Sequence, residues 1–363
     1  MDFKDKKYKI LLTGGGTSGS VTPLLAIAEE LKTAPQGGDF EFLWLGTKYG
    51  PEKNMVEQAG IKFKVITGGK WRRYFSLQNF SDLFKIKIAF FQSFFILLKY
   101  RPDLAISAGS FISVPVVWAA WLLGVKVLIH QQDVRPGLAN KLMAPLAKII
   151  TVTFEKSLKD YGKKAIWIGN PVRKQFLNKD LKKKNNLQES LPIVLILGGG
   201  TGAITINKLV EESLSELTKF CQIIHITGKN KTITNHKSQI INYTKYEFLN
   251  LEQMARAYDS ADLIVSRCGM GTLSELSCLG KPVILIPLLD SHQEDNAAIF
   301  SQAKAGVVLE QKKLTSQELI SEIKKLIKDK ELQKRLNQNI VKVMKQGANK
   351  AIIEIIKSLI KLS

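Results

Sequence analysis

Short apolar runs alternate with helix-like runs along most of this 363-residue chain. In the first half the apolar runs read YKILLTGG, EFLWLGT, FKVIT, LAISAGS and KVLIHQQ. Helix-like runs separate them, for example PLLAIAEELK after the first run and residues 77–100 before the fourth. Strand–helix alternation of this kind is typical of a parallel, doubly wound sheet. The first half therefore predicts a Rossmann-like domain.

The second half of the chain repeats this alternation. Its apolar runs read PIVLILGGG, CQIIHITG, YEFL, DLIVSR, PVILIP and GVVLE. Each half opens with an apolar strand, a glycine-rich turn and a helix, and residues 169–173 lie near the join. We therefore predict an α/β protein with two doubly wound domains, residues 1–170 and 171–345. Residues 346–363 carry apolar side chains at helical spacing and are predicted to form a C-terminal packing helix.

Length and composition favour two domains in a reducing compartment. A chain of 363 residues exceeds one ordinary core, and 45% hydrophobic residues suffice for two. The three cysteines follow no spacing that is typical of a disulfide framework or a zinc site. Lysines run directly into the first strand, and Gly124 and Lys126 interrupt the longest apolar run. We therefore expect a cytosolic protein with neither a signal peptide nor a membrane span.

The net charge of +21 can attract nucleic acid or an anionic bilayer. Most of the basic residues are lysines, however, and a lysine-rich proteome produces the same excess without any polyanionic partner. The arginines are more informative, because Arg135, Arg173 and Arg267 lie in or beside motifs. No nucleic-acid-binding module is recognisable, so we expect no nucleic acid partner. A non-catalytic protein that binds membranes or nucleic acid stays an alternative that charge alone supports.

Residues 265–297 carry the most informative chemistry. An apolar strand runs into a glycine-containing turn, Ser274 and Glu275 are predicted to open a helix, and Gly280 is predicted to end it. The next strand leads to His292 and Gln293. Backbone N–H groups at a helix start can face a diphosphate, a carboxylate can accept from ribose hydroxyls, and amide side chains can hold sugar hydroxyls. This arrangement suits a nucleotide sugar.

The first half has its own ligand-facing turns. GGGTSGS at residues 14–20 lets the backbone approach a ligand, and a helix with free N–H groups follows near Pro23. An NAD-binding role is disfavoured because no acidic residue closes the second strand, and no P-loop motif exists. Residues 107–115 and 130–141 also follow strands, at the sheet edge where open α/β folds bind ligands. Ordinary turns without a ligand are the alternative for each segment alone.

Taken together, these motifs resemble the MurG family of glycosyltransferases, over nearly the whole chain. The matching segments, in family order and spacing, are residues 14–23, 107–115, 130–141, 169–173, 198–207 and 266–297. The resemblance implies the GT-B fold, in which two Rossmann-like domains face a central cleft. It implies transfer of N-acetylglucosamine from UDP-N-acetylglucosamine to lipid I, with inversion and without a required metal ion or cofactor. The donor is then held mainly by the C-terminal domain and the acceptor mainly by the N-terminal domain.

The resemblance also assigns roles to single residues. Glu275 matches the acid on the ribose hydroxyls, Gln293, with His292 beside it, matches the amide on the sugar, and Leu249 flanks the uracil pocket. Arg173 matches an arginine that can pair with phosphate through its planar fork. Gly200 stands where the family often has Ser, so only backbone contact is implied there. The residues that match phosphate-facing turns are Thr17, Ser18 and Gly19 in the first half and Met270, Gly271, Thr272, Leu273 and Ser274 in the second.

Three positions depart from the family pattern. Ser20 stands where the family usually has His, and Gln131 and Asp133 stand where it usually has Glu and Asn. A neutral Gln131 cannot act as a carboxylate base, so we place the general base for the acceptor hydroxyl on Asp133. A base of this kind contributes roughly 10²–10⁴-fold. The alternative is that Ser20 only shapes its turn and that the reaction has weak base assistance.

A lipid acceptor requires contact with a membrane. Aromatic and basic side chains mix between residues 70 and 84, which suits an interfacial surface on anionic lipid. The alternative is a helix that buries its apolar side, and this is the expectation for most residues beyond 84. We expect a peripheral protein at the cytoplasmic face of the cell membrane. A transferase with another polyprenyl-linked or lipid-linked acceptor, and an isomerase like UDP-N-acetylglucosamine 2-epimerase, stay as alternative functions.

Overall fold

The computed structural model describes residues 7–33, 39–69, 78–177, 191–199, 202–231 and 240–361. The chain divides into two compact units, which we call the first and second unit. The first unit is formed by Met1–Lys174 together with Lys345–Ser363, and the second by Gln175–Met344. The end of the chain therefore belongs to the same unit as its beginning.

The first unit is built on a parallel sheet of seven strands in the order β3-β2-β1-β4-β5-β6-β7. The strands are β1 Tyr8–Thr13, β2 Phe40–Gly46, β3 Lys62–Val65, β4 Leu104–Ser107, β5 Lys126–Gln131, β6 Ile149–Val152 and β7 Ala165–Trp167. The helices of this unit are α1 Thr22–Thr33, α2 Glu52–Gln58, α3 Gln78–Tyr100, α4 Ser113–Leu122, α5 Leu138–Met143 and α12 Ala348–Ile360.

Residues of the interior strand β1 point alternately into two cores, as the twofold period of a strand requires. Ile10 and Leu12 pack with α1 and with Ile352 and Ile356 of α12. Leu11 lies in the other core, which α3 and α4 cover. The apolar stripe of α12 is therefore buried against the first unit.

Strands β6 and β7 were not among the predicted runs. They have four and three residues, and β6 contains the polar Thr151, so neither is a long apolar run. Their strand state comes from pairing, because β6 aligns Ile149 with Leu128 of β5 and β7 aligns Ala165 with Ile150 of β6. Short strands at a sheet edge depend on a neighbour that the local sequence does not reveal.

The second unit is a parallel sheet of six strands in the order β10-β9-β8-β11-β12-β13. Its strands are β8 Ile193–Leu197, β9 Gln222–Ile226, β10 Tyr243–Tyr246, β11 Leu263–Ser266, β12 Val283–Leu285 and β13 Val307–Val308. Its helices are α6 Ile204–Leu217, α7 Leu251–Ser260, α8 Met270–Leu279, α9 His292–Gln302, α10 Ser316–Lys328 and α11 Lys330–Ile340. The prediction of two doubly wound parallel sheets is confirmed.

Two predicted elements of the second unit are shifted. The strand predicted from YEFL ends earlier, at Tyr246. Asn250 caps α7 through a capping box with Gln253, so the residues just before it lead into the helix and do not continue the strand. Helix α8 begins at Met270 rather than at Ser274, since the chain enters the helix directly after Gly269. Glu275 therefore lies in the second turn. The predicted end at Gly280 is correct, and that residue has the left-handed φ of 67° that favours glycine.

Helix α3 buries one apolar face and exposes another. Ala89 and Leu97 are buried, whereas Phe91 is 57% and Phe95 is 65% exposed. The expected burial holds for one face, where Phe90, Phe94 and Ile96 pack with Ala89 and Leu97, and α4 covers that face. The other apolar residues of the helix lie on a second face that remains exposed. Residues 70–77, which carry most of the predicted interfacial side chains, lie outside the described residues. Among the described helices, none is both long and apolar enough to cross a bilayer.

Candidate active site

Helix α8 presents an open N-terminus at the carboxyl end of β11. The N–H of Leu273 donates to the carbonyl of Gly269 at 3.0 Å and closes the first turn. The N–H groups of Met270, Gly271 and Thr272 have no acceptor among the described residues, as expected in the first turn of a helix. Their partial positive charge, together with the helix dipole, favours an anion at this place.

Glu275 receives a hydrogen bond from a residue that the sequence analysis did not identify. The Tyr258 hydroxyl, from α7, donates to Oε2 of Glu275 at 2.9 Å. Burial, and then the nearby Glu275 carboxylate, raise the pKa of Tyr258 well above its usual value of 10, so the phenol stays protonated and can donate. No local signal marks Tyr258, because one tyrosine on an amphipathic helix reads as an ordinary core residue.

Gln293 links the start of α9 to two strand ends. Its Oε1 accepts from the N–H of Cys268 at 3.2 Å and from the N–H of Leu288 at 3.1 Å. These bonds occupy the carbonyl oxygen, so the amide NH₂ is the part of the side chain that suits a ligand hydroxyl. His292 is exposed at the first position of α9. The structure therefore brings the turn before α8 together with Gln293.

Arg267 is buried next to the same strand ends and forms hydrogen bonds with their backbone. Its buried guanidinium donates to the carbonyls of Ile286 and Pro287, both at 3.0 Å. These bonds make it part of the scaffold of the turn. Among the other residues predicted to bind the nucleotide sugar, Leu249 is buried beside the exposed Phe248. Gly200 lies outside the described residues.

The glycine turn of the first unit is held by hydrogen bonds to other residues of that unit. The N–H of Gly15 donates to Oγ of Ser20 and the N–H of Gly16 to Oε2 of Glu52, each at 3.1 Å. Ser110 donates through its hydroxyl to the carbonyl of Gly15 at 2.8 Å. The N–H groups of the next residues, Thr17, Ser18 and Gly19, have no acceptor within the described part of the chain. The predicted phosphate-facing residues are thus the outer half of this turn.

Glu52 is a second residue beside these turns that the sequence analysis did not identify. Its side chain is fully buried at the start of α2, and Oε1 accepts from both the N–H, at 2.9 Å, and the hydroxyl of Thr47. It therefore joins the end of β2 to the glycine turn. A glutamate after Pro51 looks like an ordinary residue of a first helical turn, so the sequence contains no signal for this contact.

Gln131 organises the loop that carries the predicted base Asp133. Its Nε2 donates to the carbonyls of Asp133 and Arg135, at 2.7 and 3.4 Å. Its Oε1 accepts from Asn140 at 2.6 Å and from the Tyr161 hydroxyl at 2.9 Å. A carboxylate here could not make the two donations. The departure at position 131 therefore has a local structural role, and the Asp133 side chain stands half-buried on a braced loop.

Buried His130 connects β5 to residues 169–173. Its ring nitrogens lie 2.9 Å from the Thr151 hydroxyl and 2.6 Å from Oδ1 of Asn170. Burial lowers the pKa of His130 to about 4, although the bond to Asn170 opposes that shift. Arg173, predicted to face phosphate, places its Nε 3.7 Å from a carboxylate oxygen of Glu29 on α1.

Comparisons with known proteins match both halves of the chain. The glycosyltransferase family 28 N-terminal domain matches residues 10–152, and the family 28 C-terminal domain matches residues 193–353. A UDP-N-acetylglucosamine–N-acetylmuramyl-(pentapeptide) pyrophosphoryl-undecaprenol N-acetylglucosamine transferase of Clostridium kluyveri is 37% identical over 352 residues, which cover 95% of this chain and 98% of the relative.

Solved structures agree on the fold. MurG of Acinetobacter baumannii has a TM-score of 0.71 at 22% identity, covering 97% of this chain and 99% of that one. A UDP-N-acetylglucosamine 2-epimerase has a TM-score of 0.69 at 15% identity, covering 97% and 96%. The predicted two-domain GT-B architecture is confirmed. On the sequence relatives and the two matching domains, this chain belongs to the MurG family within glycosyltransferase family 28.

Proposed function

We propose that this protein transfers N-acetylglucosamine from UDP-N-acetylglucosamine to lipid I and so makes lipid II for peptidoglycan. The observation that carries the proposal is the conjunction of an open helix N-terminus at Met270 with a buttressed carboxylate at Glu275. The Clostridium kluyveri relative, whose name states this donor and this acceptor, supports it over nearly the full length of both chains.

The donor is bound in the second unit. The diphosphate lies at the first turn of α8, where the N–H groups of Met270, Gly271 and Thr272 offer donors. Glu275, one turn later, accepts from the ribose hydroxyls, which places ribose and diphosphate along one helix. Gln293 donates from its amide to hydroxyls of the transferred sugar. Leu249 forms an apolar wall for uracil.

The reaction needs a base for the acceptor and stabilisation for the leaving group. The acceptor hydroxyl attacks the anomeric carbon from the face opposite UDP while Asp133 removes its proton, and the carbon–oxygen bond to UDP breaks. The negative charge that develops on UDP meets the preorganised N–H groups of α8, and no solvent reorganisation is needed there. The Ser20 hydroxyl, which already bonds Gly15, shapes its turn and takes no proton.

Membrane contact uses an apolar surface of the first unit. Helices α3 and α4 pack together, and each exposes large apolar side chains. We call this set the apolar surface: Leu83, Phe84, Ile88, Phe91, Phe95 and Leu98 on α3, with Trp118, Trp121 and Leu122 on α4. The exposed Lys85, Lys87 and Lys99 lie on the same long helix. Aromatic and apolar side chains with lysines around them suit the interface of an anionic bilayer, which favours a peripheral location at the cytoplasmic face.

Vesicle binding tests that surface. Phe91→Ser/Phe95→Ser should lose most of its co-sedimentation with phosphatidylglycerol-containing vesicles, because it removes two of the most exposed aromatic rings. Tyr49→Ser is the matched control, since Tyr49 is also an exposed ring of the first unit but lies outside the apolar surface. Equal binding of the wild type and the double variant would contradict this assignment.

A transfer assay with labelled UDP-N-acetylglucosamine and synthetic lipid I tests the function. We expect a labelled lipid product and release of UDP. Undecaprenyl phosphate, offered in place of lipid I as a control acceptor, should take up no label. Incubation of the nucleotide sugar alone is the second arm, because a 2-epimerase has the same fold. Formation of the manno epimer without an acceptor, or transfer to another lipid in preference to lipid I, would overturn the proposal.

A further inference from the structure

We propose that Tyr258 is a positioning residue for ribose recognition: it fixes the Glu275 carboxylate so that this group can accept from the ribose hydroxyls. This inference rests on the proposed donor site and adds a residue to it. Tyr258 lies on α7 and Glu275 on α8, 17 residues apart in sequence.

The phenol is held in one place. Tyr258 is 1% exposed, and the ring of Phe176, itself 3% exposed, packs edge-on against it with a centroid distance of 5.7 Å and an interplanar angle of 68°. An edge-to-face pair in a close-packed interior restricts the rotation of both rings. The hydroxyl therefore reaches Oε2 of Glu275 from a fixed point, and the carboxylate plane is defined by a rigid partner.

A phenol suits this task better than a cation does. A carboxylate accepts at about four lone-pair positions, so a neutral phenol can orient the group through one of them without neutralising the charge that ribose hydroxyls bind. A lysine or arginine in the same place would neutralise the charge and weaken the hydrogen bonds that a carboxylate makes to hydroxyls. Tyr258 therefore orients Glu275 while the charge that strengthens ribose binding is kept.

Nucleotide analogues separate positioning from simple packing. We would measure, by calorimetry, the affinity of the wild type and of Tyr258→Phe for UDP and for 2′,3′-dideoxy-UDP. The variant keeps the ring and loses the hydroxyl. If the hydroxyl acts through Glu275 on the ribose, UDP affinity falls roughly tenfold, the size expected for a weakened hydrogen bond to a charged group. The affinity for the dideoxy nucleotide stays the same, because that ligand has no hydroxyl for Glu275 to hold.

The matched control is Tyr243→Phe. Tyr243 also loses a bonded hydroxyl in the second unit, the one 3.0 Å from Nδ1 of His225, and both nucleotide affinities should be unchanged. Phe176→Leu is a second variant, in case Tyr258→Phe does not fold: it removes the ring that packs edge-on against Tyr258, and a smaller loss confined to UDP is expected. In turnover, Tyr258→Phe should raise the KM for UDP-N-acetylglucosamine more than it lowers kcat.

Two outcomes overturn the inference. One is unchanged UDP affinity in Tyr258→Phe, and the other is an equal loss for UDP and for the dideoxy nucleotide, which would indicate a packing role. Glu275→Gln distinguishes this failure from failure of the donor site. If Glu275→Gln weakens UDP binding and Tyr258→Phe does not, the site stands and the role of Tyr258 fails. If the wild type binds no UDP, both fail together.

Discussion

The glycine turn at residues 14–20 and the turn before α8 at Gly269 both follow a buried strand and lead into a helix. In the first turn the glycine N–H groups donate to acceptors of the protein itself, Ser20 and Glu52. In the second, the first-turn N–H groups have no acceptor among the described residues. Glu52 thus holds a carboxylate against the first turn, in the kind of position that a ligand anion would take at the second. A glycine after a strand marks a close approach, and the approaching group can be the protein's own carboxylate.

This difference divides the work between the units. The second turn is built for an anion, which suits the proposed diphosphate of the donor. The first turn is held by hydrogen bonds within the protein, and we propose that its outer residues, Thr17, Ser18 and Gly19, contact the substrate. Ser20 is one of the residues that hold this turn, so we place the proton acceptor elsewhere, on the loop whose backbone Gln131 binds.

The largest expected effect tests whether the first turn has a structural role only. Asp133→Asn should lower kcat by roughly 10²–10⁴-fold, because it removes the proposed base. Ser20→Ala should keep most of kcat and lose stability, because its hydroxyl bonds the turn. The measurement is turnover with lipid I at saturating donor, beside urea denaturation of both variants. An active Asp133→Asn enzyme would remove the base, and a Ser20→Ala enzyme with a large loss of kcat would return the chemistry to position 20.

The next effect concerns a buried pair of histidine and asparagine that occurs in both units. In each unit a buried neutral histidine bonds an asparagine: His130 bonds Asn170, and His225 bonds Asn207 at 3.2 Å. Burial lowers the pKa of each imidazole from an ordinary 6.5 to about 4. Below pH 6.5 the unfolded chain binds protons that the folded chain does not, so stability is full above 6.5 and falls as the pH drops towards 4.

From these pKa values, each histidine should remove about 2 kcal/mol of stability between pH 7 and pH 5. Urea denaturation at the two pH values measures the loss, and His130→Asn and His225→Asn should each reduce it. If one of these variants leaves the pH dependence unchanged, that histidine does not stay neutral in the folded unit, and the parallel between the units fails there.

The smallest expected effect addresses the carboxylate that distinguishes the two turns. Glu52→Gln should destabilise the first unit by about 1.5 kcal/mol, at the low end for a hydrogen bond to a charged group because Gly16 is exposed. It should raise the KM for lipid I and leave UDP affinity unchanged. Glu57→Gln, an exposed glutamate of the same helix, is the control. A change in UDP affinity would show that the first turn takes part in donor binding.

Sequence patterns were most informative where the interaction is local. The long buried strands, the glycine turns and the left-handed stop at Gly280 all follow from neighbouring residues, and each was predicted. The short strands β6 and β7 and the start of α8 were not, because pairing partners and the path of the chain decide them. The exposure of Phe91 and Phe95 was not predicted for a related reason: periodicity indicates that a helix has an apolar face, but not which apolar residues its neighbours cover.

The amino-acid sequence by itself determined the alternation of elements, the two parallel sheets and the motifs on which the family resemblance depends, because each is encoded by residues close together in the chain. Only the tertiary structure decided which polar groups of those motifs already have partners. Glu52 reaches Gly16 across 36 residues and Tyr258 reaches Glu275 across 17. Hydrogen bonds between distant elements depend on how helices and strands pack, and the pairing of two such polar side chains leaves no periodic trace in the sequence.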